Sequence, residues 1–481
     1  MKRLFFFLFL AACGGTPKPV SPAFDGPAAN RASTSAQREK VAITVYNQGF
    51  GLVREVRNID LGTGRVALEY RDVAAHIQPE TVALKSLDDP GALTIFEQNY
   101  RYDLLTPEKL LEKYVGKRVK LYRWNVEKNV EDAFDAEVLS VEGSTPVYRI
   151  NGEVTYGFPG RVAFPEVPAS LIAKPSLVWL LGSTRPKQKV ELTYLTGQMT
   201  WRADYVLNVD ANDAIADLTG WVTLDNRSGT AFENAQLKLV AGDVNKVIDQ
   251  TVYDKDMEAD ELAAADVGGA GFKEEGFFEY HLYTLNRPTT LLHNEKKQAT
   301  LLEARGIGVK KKMFFFGAAN YYRGHYGQVV SNQKIGVYLD IENKAQNKLG
   351  MPLPKGIVRV YKADASGARQ FIGEDSIDHT PRDEKLRIKM GDAFDVVGDR
   401  KQMKWTTLGT CGSESDWEIE LRNHKDSAAE IEVVEPVGGD WTVLSSSLPY
   451  KKQDAHTFTF DAKVAAKTNL KITYRVRVQW C

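Results

Sequence analysis

The chain has 481 residues, more than a single hydrophobic core usually serves, so its length predicts several domains. Hydrophobic residues make up 43% of it and charged residues 26%, as in folded globular proteins. The 62 lysines and arginines are balanced by 63 acidic residues, so the basic excess that favours binding to a phosphate backbone is missing. We therefore expect no nucleic-acid partner.

The N-terminus predicts a signal peptide followed by a lipid anchor. Lys2 and Arg3 precede an apolar run over residues 4–10, and two alanines then lead directly to Cys13. This order resembles the lipobox of bacterial lipoproteins, in which signal peptidase II cuts in front of a lipid-modified cysteine. We expect residues 1–12 to be removed and Cys13 to be acylated. The alternative is an ordinary cleaved signal with a chance cysteine.

A lipid at Cys13 places the protein in the cell envelope. The apolar run is far shorter than the roughly 20 residues of a membrane-spanning helix, so we expect the acyl chains to be the only membrane attachment. Gly14 follows the cysteine, and the aspartate that retains lipoproteins in the inner membrane of enteric bacteria is missing. In a host with two membranes, we therefore expect sorting to the outer membrane, on its periplasmic or surface face.

The N-terminal third predicts a tether, a β module and one helix. Residues 13–39 are rich in Pro, Ala, Gly and Ser, which predicts a flexible lipidated tether. Apolar and polar residues alternate within 40–105, as in a β module. In 106–168, a short helix begins at Thr106, a capping residue, and ends at Gly116. Short strands after this helix predict a small SH3-like β-barrel.

The remainder predicts two β-sandwiches. Short alternating runs separated by turn residues recur over 169–330, which we interpret as one sandwich with a mobile acidic insertion at 254–276. A C-terminal Ig-like sandwich follows over 331–481, and its cleanest alternating run is Leu470–Val478. The predicted fold is therefore all-β and multidomain, with Ig-like sandwiches, a small SH3-like barrel and one short helix.

Several phrases resemble the mucoidy-inhibitor-A-like family of bacterial envelope proteins, whose C-terminal region is a domain of unknown function. The first signature is Tyr194, Gly197, Trp201 and Tyr205, followed by Asn226-Arg227-Ser228-Gly229, Phe232, Asn234-Ala235 and Leu237. The second is Leu339, Asn343, Leu353–Gly356, Arg359–Tyr361 and Gly391–Asp395. Tyr46–Phe50 and Arg101–Leu105 are similar to a lipoprotein-like branch. The resemblance implies an envelope-located β protein without an established enzymatic activity, and the coiled coil of other members is replaced here by the barrel-like unit.

No sequence motif indicates a catalytic residue, a metal site or a cofactor. The chain lacks G-x-S-x-G, and its seven histidines are scattered without H-x-H or H-E-x-x-H spacing. Asp392 and Asp395 are the best-placed pair of acids, but a turn at a strand edge explains them better than glycoside hydrolysis. We therefore expect no metal and no cofactor, and favour a non-enzymatic role.

One stretch places cations beside aromatic side chains. On such a surface, the aromatic side chains can stack on sugar rings and the cations can bind an anionic polymer. The alternative is a long strand whose apolar end is in the core and whose lysines are solvated. The candidate ligand-binding residues are Lys310, Lys311, Lys312, Tyr321, Tyr322, Arg323 and Tyr326.

The two remaining cysteines predict a disulfide. Once Cys13 is acylated, Cys411 and Cys481 are the only thiols left, and exported proteins commonly meet an oxidising compartment. Two independent buried thiols, or an intermolecular bridge from Cys481, are the alternatives.

The combined expectation is a lipid-anchored envelope protein with a non-enzymatic binding or scaffolding role, acting through its sandwich surfaces on an envelope protein or glycan. The alternative is a protein that binds envelope polysaccharide or an enzyme that acts on it. Two converging acids beside exposed aromatics in a cleft favour the alternative, whereas a large apolar patch favours a protein partner.

Overall fold

A computed structural model describes residues 24, 26–142, 145–168, 170–246 and 272–481. These residues form 30 strands and one α-helix, which confirms the all-β prediction. The strands, numbered in chain order, are β1 Ala29–Ser33, β2 Arg38–Tyr46, β3 Phe50–Asp60, β4 Gly64–Arg71, β5 Ala83–Ser86, β6 Leu93–Arg101, β7 Arg118–Asn125, β8 Val130–Ser140, β9 Val147–Ile150, β10 Glu153–Tyr156, β11 Arg161–Ala163, β12 Ser176–Ser183, β13 Lys187–Gly197, β14 Met199–Val209, β15 Ile215–Asn226, β16 Phe232–Ala241, β17 Phe272–Phe277, β18 Tyr280–Leu285, β19 Thr289–Leu291, β20 Glu295–Phe316, β21 Gln328–Glu342, β22 Gly356–Ala363, β23 Arg369–Ile377, β24 Lys385–Leu408, β25 Gly412–Asn423, β26 Ala429–Pro436, β27 Asp440–Ser446, β28 Tyr450–Asp454, β29 Thr457–Val464 and β30 Thr468–Gln479.

The described residues divide into two compact units. Unit 1 comprises residues up to 40 and residues 54–194, and unit 2 comprises residues 41–53 and 195–481. In unit 1, a four-stranded sheet has the order β1-β4-β12-β6, with β1 parallel to β4. Alternate side chains of β4 and β12 face the core, because successive residues of a strand point to opposite faces. Leu68, Tyr70 and Trp179 are completely buried there.

The predicted short helix is confirmed. Helix α1 spans Pro107–Lys113, and the side chain of Thr106 caps it by accepting a hydrogen bond from the backbone N–H of Lys109 at 3.2 Å. Gly116, just beyond its end, has a φ of 77°, which a glycine adopts without steric cost. The capping residues were therefore a sufficient signal for this element.

The predicted barrel is wrong. After α1, five antiparallel strands form an open sheet in the order β10-β9-β8-β7-β11. One face covers a small core that includes Val119, Leu121 and Val138. Barrel closure requires the two edge strands to pair with each other. Here the edge strands have only four and three residues, and each pairs on one side.

Unit 2 contains the largest sheet. Its strand order is β23-β22-β14-β15-β20-β21-β24-β25-β30-β27, while β26 pairs with both β20 and β29, and β28 pairs with β29. A smaller group has the order β17-β18-β16-β2, with β19 beside β16. The strands β20, β25, β26, β29 and β30 surround a core centred on Trp417, Phe458 and Phe460.

Buried asparagines close three turns of unit 2. Asn423, the last residue of β25, is 1% exposed and donates to the carbonyl oxygens of Ser427 at 2.9 Å and Ala465 at 3.0 Å. Asn226 at the end of β15 and Asn343 after β21 bind loop carbonyls in the same way. Each buried amide donates to loop carbonyl groups that have no strand partner, so these turns are fixed from within.

The predicted tether and domain bounds differ from the structure. Within the expected tether of 13–39, residues 29–33 form β1, because a parallel edge strand gains its hydrogen bonds from β4 without large apolar side chains of its own. The boundary predicted between residues 330 and 331 falls inside β21, which pairs with both β20 and β24. The last residues of the predicted insertion 254–276 belong to β17, whereas residues 254–271 lie outside the described residues.

Candidate functional site: lysine-lined clefts on strand β20

The three consecutive lysines lie near the C-terminal end of the 22-residue strand β20. Lys310 and Lys311 are exposed and Lys312 is half-buried, whereas Phe314 and Phe315 are buried in the core of unit 2. The stretch is therefore a long strand with solvated lysines and an apolar end in the core, as one of the two interpretations predicted. The lysines nevertheless line clefts, so their solvation is compatible with ligand binding.

The first cleft lies beside β26 and has a volume of about 620 Å³. We call it the β26 cleft. Its charged lining is nearly balanced, with one more lysine than carboxylates. These side chains are Lys310, Lys311, Lys312 and Lys463, and Glu430, Glu432 and Asp461.

The second cleft lies beside β21 and has a volume of about 570 Å³. We call it the β21 cleft. Four lysines face only two carboxylates, and two amide side chains add neutral donors and acceptors, so this cleft favours an anion. The residues are Lys310, Lys312, Lys344 and Lys385, Asp340 and Glu342, and Gln346 and Asn347.

Asp340 is already neutralised by its neighbours. Lys385 Nζ lies 2.6 Å from one carboxylate oxygen, and Arg387 Nε lies 2.8 Å from the other. Burial opposes ionisation of this carboxyl, but the hydrogen bonds from Arg387 and Lys385 outweigh burial and lower its pKa below the usual 3.8. Among the described residues, by contrast, no carboxylate lies within ion-pair distance of Lys310. Its ammonium group is free to bind an incoming anion.

The other two lysines have structural partners as well as exposed surface. Lys312 Nζ lies 3.1 Å from Glu432 on β26. Lys311 Nζ lies 2.8 Å from Asp213, which also binds Lys362 at 2.6 Å. Burial opposes ionisation of Asp213, but the hydrogen bonds from these two lysines prevail and lower its pKa. Lys311 therefore helps to hold the strand, and Lys310 and Lys312 are the lysines shared by both clefts.

The aromatic half of the predicted site does not join the lysines. Lys310 and the end of β20 are six residues apart, about 20 Å along an extended strand, and the tyrosines follow that end. Arg323 and Tyr326 are exposed, while Tyr321 is half-buried and packs beside Trp417 with ring centroids 6.3 Å apart. The cation and aromatic surface predicted as one site is therefore two separate surfaces.

Tyr322 cannot contact a ligand, which corrects the prediction for that residue. It is 1% exposed, and its hydroxyl donates to Glu435 Oε2 at 2.6 Å. A buried hydroxyl needs such a partner, and this one belongs to a core network with Tyr474 and Arg400. Sequence reasoning missed the network because its members are distant in the chain.

The predicted disulfide is present. Cys411 and Cys481 are bonded, with Cα atoms 5.7 Å apart, within the range that a bridge requires. Trp480 N–H donates to the carbonyl oxygen of Cys411 at 3.0 Å, so the backbone supports the same approach. The crosslink holds Cys481, two residues beyond the end of β30, against the turn between β24 and β25.

The lipidation residue Cys13 lies outside the described residues. Within the part of the chain that the structure describes, no helix is long and apolar enough to cross a membrane. The same residues contain no cluster of His, Cys, Asp and Glu side chains arranged to hold a metal ion.

No protein-family model matches this chain, and comparison with curated proteins finds no match. The resemblance to the mucoidy-inhibitor-A-like family therefore stays a prediction.

Proposed function

We propose that this chain is a lipid-anchored protein of the cell envelope that binds an anionic envelope polymer without chemically converting it. Cys13 would carry the anchor, in the outer membrane where the host has two. The observation that carries the binding proposal is that Lys310 and Lys312 line both clefts. An extended anion that lies in either cleft can therefore contact the ammonium groups of Lys310 and Lys312.

The charge balance of the clefts indicates what kind of anion fits. An exposed lysine contributes only about 0.2–1 kcal/mol to one ion pair, so a single small anion gains little here. A polymer that presents many carboxylates or phosphates makes several such contacts at once. Its translational freedom is lost only once, whereas separate small anions would each lose theirs. The carboxylates that share the clefts limit the affinity. We therefore expect weak binding that salt screens easily.

Retention on two immobilised polyanions, polygalacturonate (a polymer of acidic sugars) and poly-L-glutamate, tests the proposal. The double variant Lys310→Ser and Lys312→Ser should lower affinity about tenfold, because it removes two cations worth roughly 0.7 kcal/mol each. The matched control is Lys467→Ser with Lys471→Ser, two exposed lysines of unit 2 that make surface ion pairs and line neither cleft.

The control should elute with the wild-type chain, and all three proteins should melt at similar temperatures. Equal retention of the cleft variant and the wild type would contradict the proposed site. Loss of retention in both double variants would indicate a response to net charge alone.

The anchor is tested separately. Cys13→Ser should abolish labelling by a fatty-acid probe and leave a precursor that signal peptidase II does not cut. Unchanged labelling would refute acylation at this residue. Fractionation with inner-membrane markers, in a host with two membranes, would contradict the expected sorting.

A further inference from the structure

A third cleft on unit 2 is lined by a different class of side chain. It lies between β15, β20 and the loop after β18, and has a volume of about 280 Å³. Trp221 forms part of its wall and is half-buried, whereas Trp201 and Trp417 in the same unit are 3% and 1% exposed. We call it the Trp221 cleft. An indole at a cleft surface is available for contact with a flat apolar ligand face.

Planar polar side chains line the same cleft. Asn286 and Arg287 are exposed in the loop, and Gln298 lies on β20. Gln298 donates from Nε2 to Thr223 Oγ1 at 3.2 Å, an arrangement that leaves its carbonyl oxygen as an acceptor. Among the described residues, no carboxylate lies within ion-pair distance of Arg287. The cleft thus offers amide donors and acceptors together with an unpaired guanidinium.

We infer that the Trp221 cleft binds one ring of an acidic sugar. The apolar face of a pyranose ring can pack on the Trp221 indole, its hydroxyls can pair with Asn286 and Gln298, and its carboxylate can accept two N–H groups from Arg287. This inference rests on the proposed function and names the polymer as a polysaccharide. A polyanion without sugar rings has no group that the indole would recognise.

The position of the cleft supports the same ligand. Gln298 and Lys310 lie on one continuous strand, twelve residues apart, which corresponds to about 40 Å at the usual rise of a strand. A linear polysaccharide of that length can reach the Trp221 cleft and the lysine clefts together. Simultaneous contact raises the overall affinity beyond that of either cleft alone.

Two probes distinguish the inference from simple charge attraction. Oligogalacturonate longer than about 40 Å carries acidic rings, whereas poly-L-glutamate carries carboxylates without rings. Trp221→Ala should weaken oligogalacturonate binding about tenfold and leave poly-L-glutamate binding unchanged, because only the ring contact is lost. Trp221→Phe should keep most of the affinity. Titration of the wild-type chain should also change its tryptophan fluorescence, and this change should be smaller in Trp221→Phe.

The matched control is Trp480→Ala, since Trp480 is 42% exposed and lines no part of this cleft. If Trp221→Ala lowers the melting temperature, Asn286→Ala replaces it, because Asn286 is exposed and should lose only a contact with ring hydroxyls, which poly-L-glutamate lacks. Unchanged oligogalacturonate binding in both variants overturns the inference, as does equal loss of both probes. A wild-type chain that binds poly-L-glutamate but not oligogalacturonate overturns the inference and leaves the proposed function standing. Binding of neither probe overturns both.

Discussion

Arg400 and Glu435 form a completely buried ion pair, with Nη2 lying 2.6 Å from Oε1 and neither side chain exposed. Tyr322 donates to the second carboxylate oxygen, and its hydroxyl also lies 2.9 Å from that of Tyr474. The guanidinium lies over the ring of Phe315, 4.4 Å from its centroid. Taking two charges out of water is costly, so the pair is tolerated only while these partners surround it.

Removing one hydroxyl from this network should lower the stability of the protein. Tyr322→Phe leaves Glu435 Oε2 buried without its donor, and we expect the free energy of unfolding to fall by about 1–3 kcal/mol. Urea unfolding measures the change. Tyr326→Phe is the control, since that tyrosine is 39% exposed and should lose less than about 0.5 kcal/mol. Equal stability of Tyr322→Phe and the wild type would show that the network adds nothing to the fold.

The disulfide should stabilise unit 2 substantially. Cys411 and Cys481 are 70 residues apart in the chain, and closing such a loop contributes on the order of 4 kcal/mol through lost chain entropy of the unfolded state. Cys411→Ser with Cys481→Ser should therefore lower the melting temperature, as should reduction of the wild type. The reductant should leave the double variant unchanged. Mass spectrometry of the unreduced digest should find one crosslinked peptide pair, and two alkylatable thiols at these positions would contradict the bridge.

The asparagine turns predict a second set of destabilised variants. Asn423→Ala removes the side-chain donor to the carbonyl of Ser427 and one of the two side-chain donors to the carbonyl of Ala465, and we expect the free energy of unfolding to fall by about 1–3 kcal/mol. Asn469→Ala is a suitable control on the neighbouring strand β30, because its side chain makes one exposed hydrogen bond to Glu420. Thermal unfolding compares the two variants, and similar melting temperatures would mean that the turn does not depend on the buried amide.

The lowered pKa of Asp340 predicts a pH-dependent contribution to stability. Because the folded pKa lies below the unfolded value near 3.8, the stabilisation is fully present above about pH 4 and is lost as pH falls through the folded pKa. Asp340→Asn should therefore be less stable than the wild type at pH 7, and the difference should shrink below pH 4. Denaturant unfolding across pH measures this. A difference that stays constant with pH would refute the assignment of the effect to ionisation.

The structural features that could be predicted from the sequence either depend on a few neighbouring residues or follow by elimination. Thr106 and Gly116 mark the helix because capping chemistry acts over a few residues. The disulfide followed from the small number of cysteines, since only two remain after Cys13. The alternation of Leu470–Val478 predicted β30 because one face of that strand is buried.

The features that could not be predicted depend on residues brought together by topology. Lys344, Lys385 and Lys463 join the lysine clefts from three other regions of the chain, and no spacing in the sequence connects them to Lys310. The burial of Tyr322 likewise depends on a carboxylate 113 residues away. Charge and aromatic content were visible in the sequence, but the face on which each side chain lies was set by long-range strand pairing.

The length of β20 has a kinetic consequence. Its backbone is paired with β15 along its first part and with β21 and β26 along its last, so the groups that it presents are held on one continuous scaffold. A ligand that binds along such a strand meets a preorganised surface, so its binding requires no domain closure. Association should then be a single fast step set by diffusional encounter, and differences in affinity between polymers should appear in their dissociation rates.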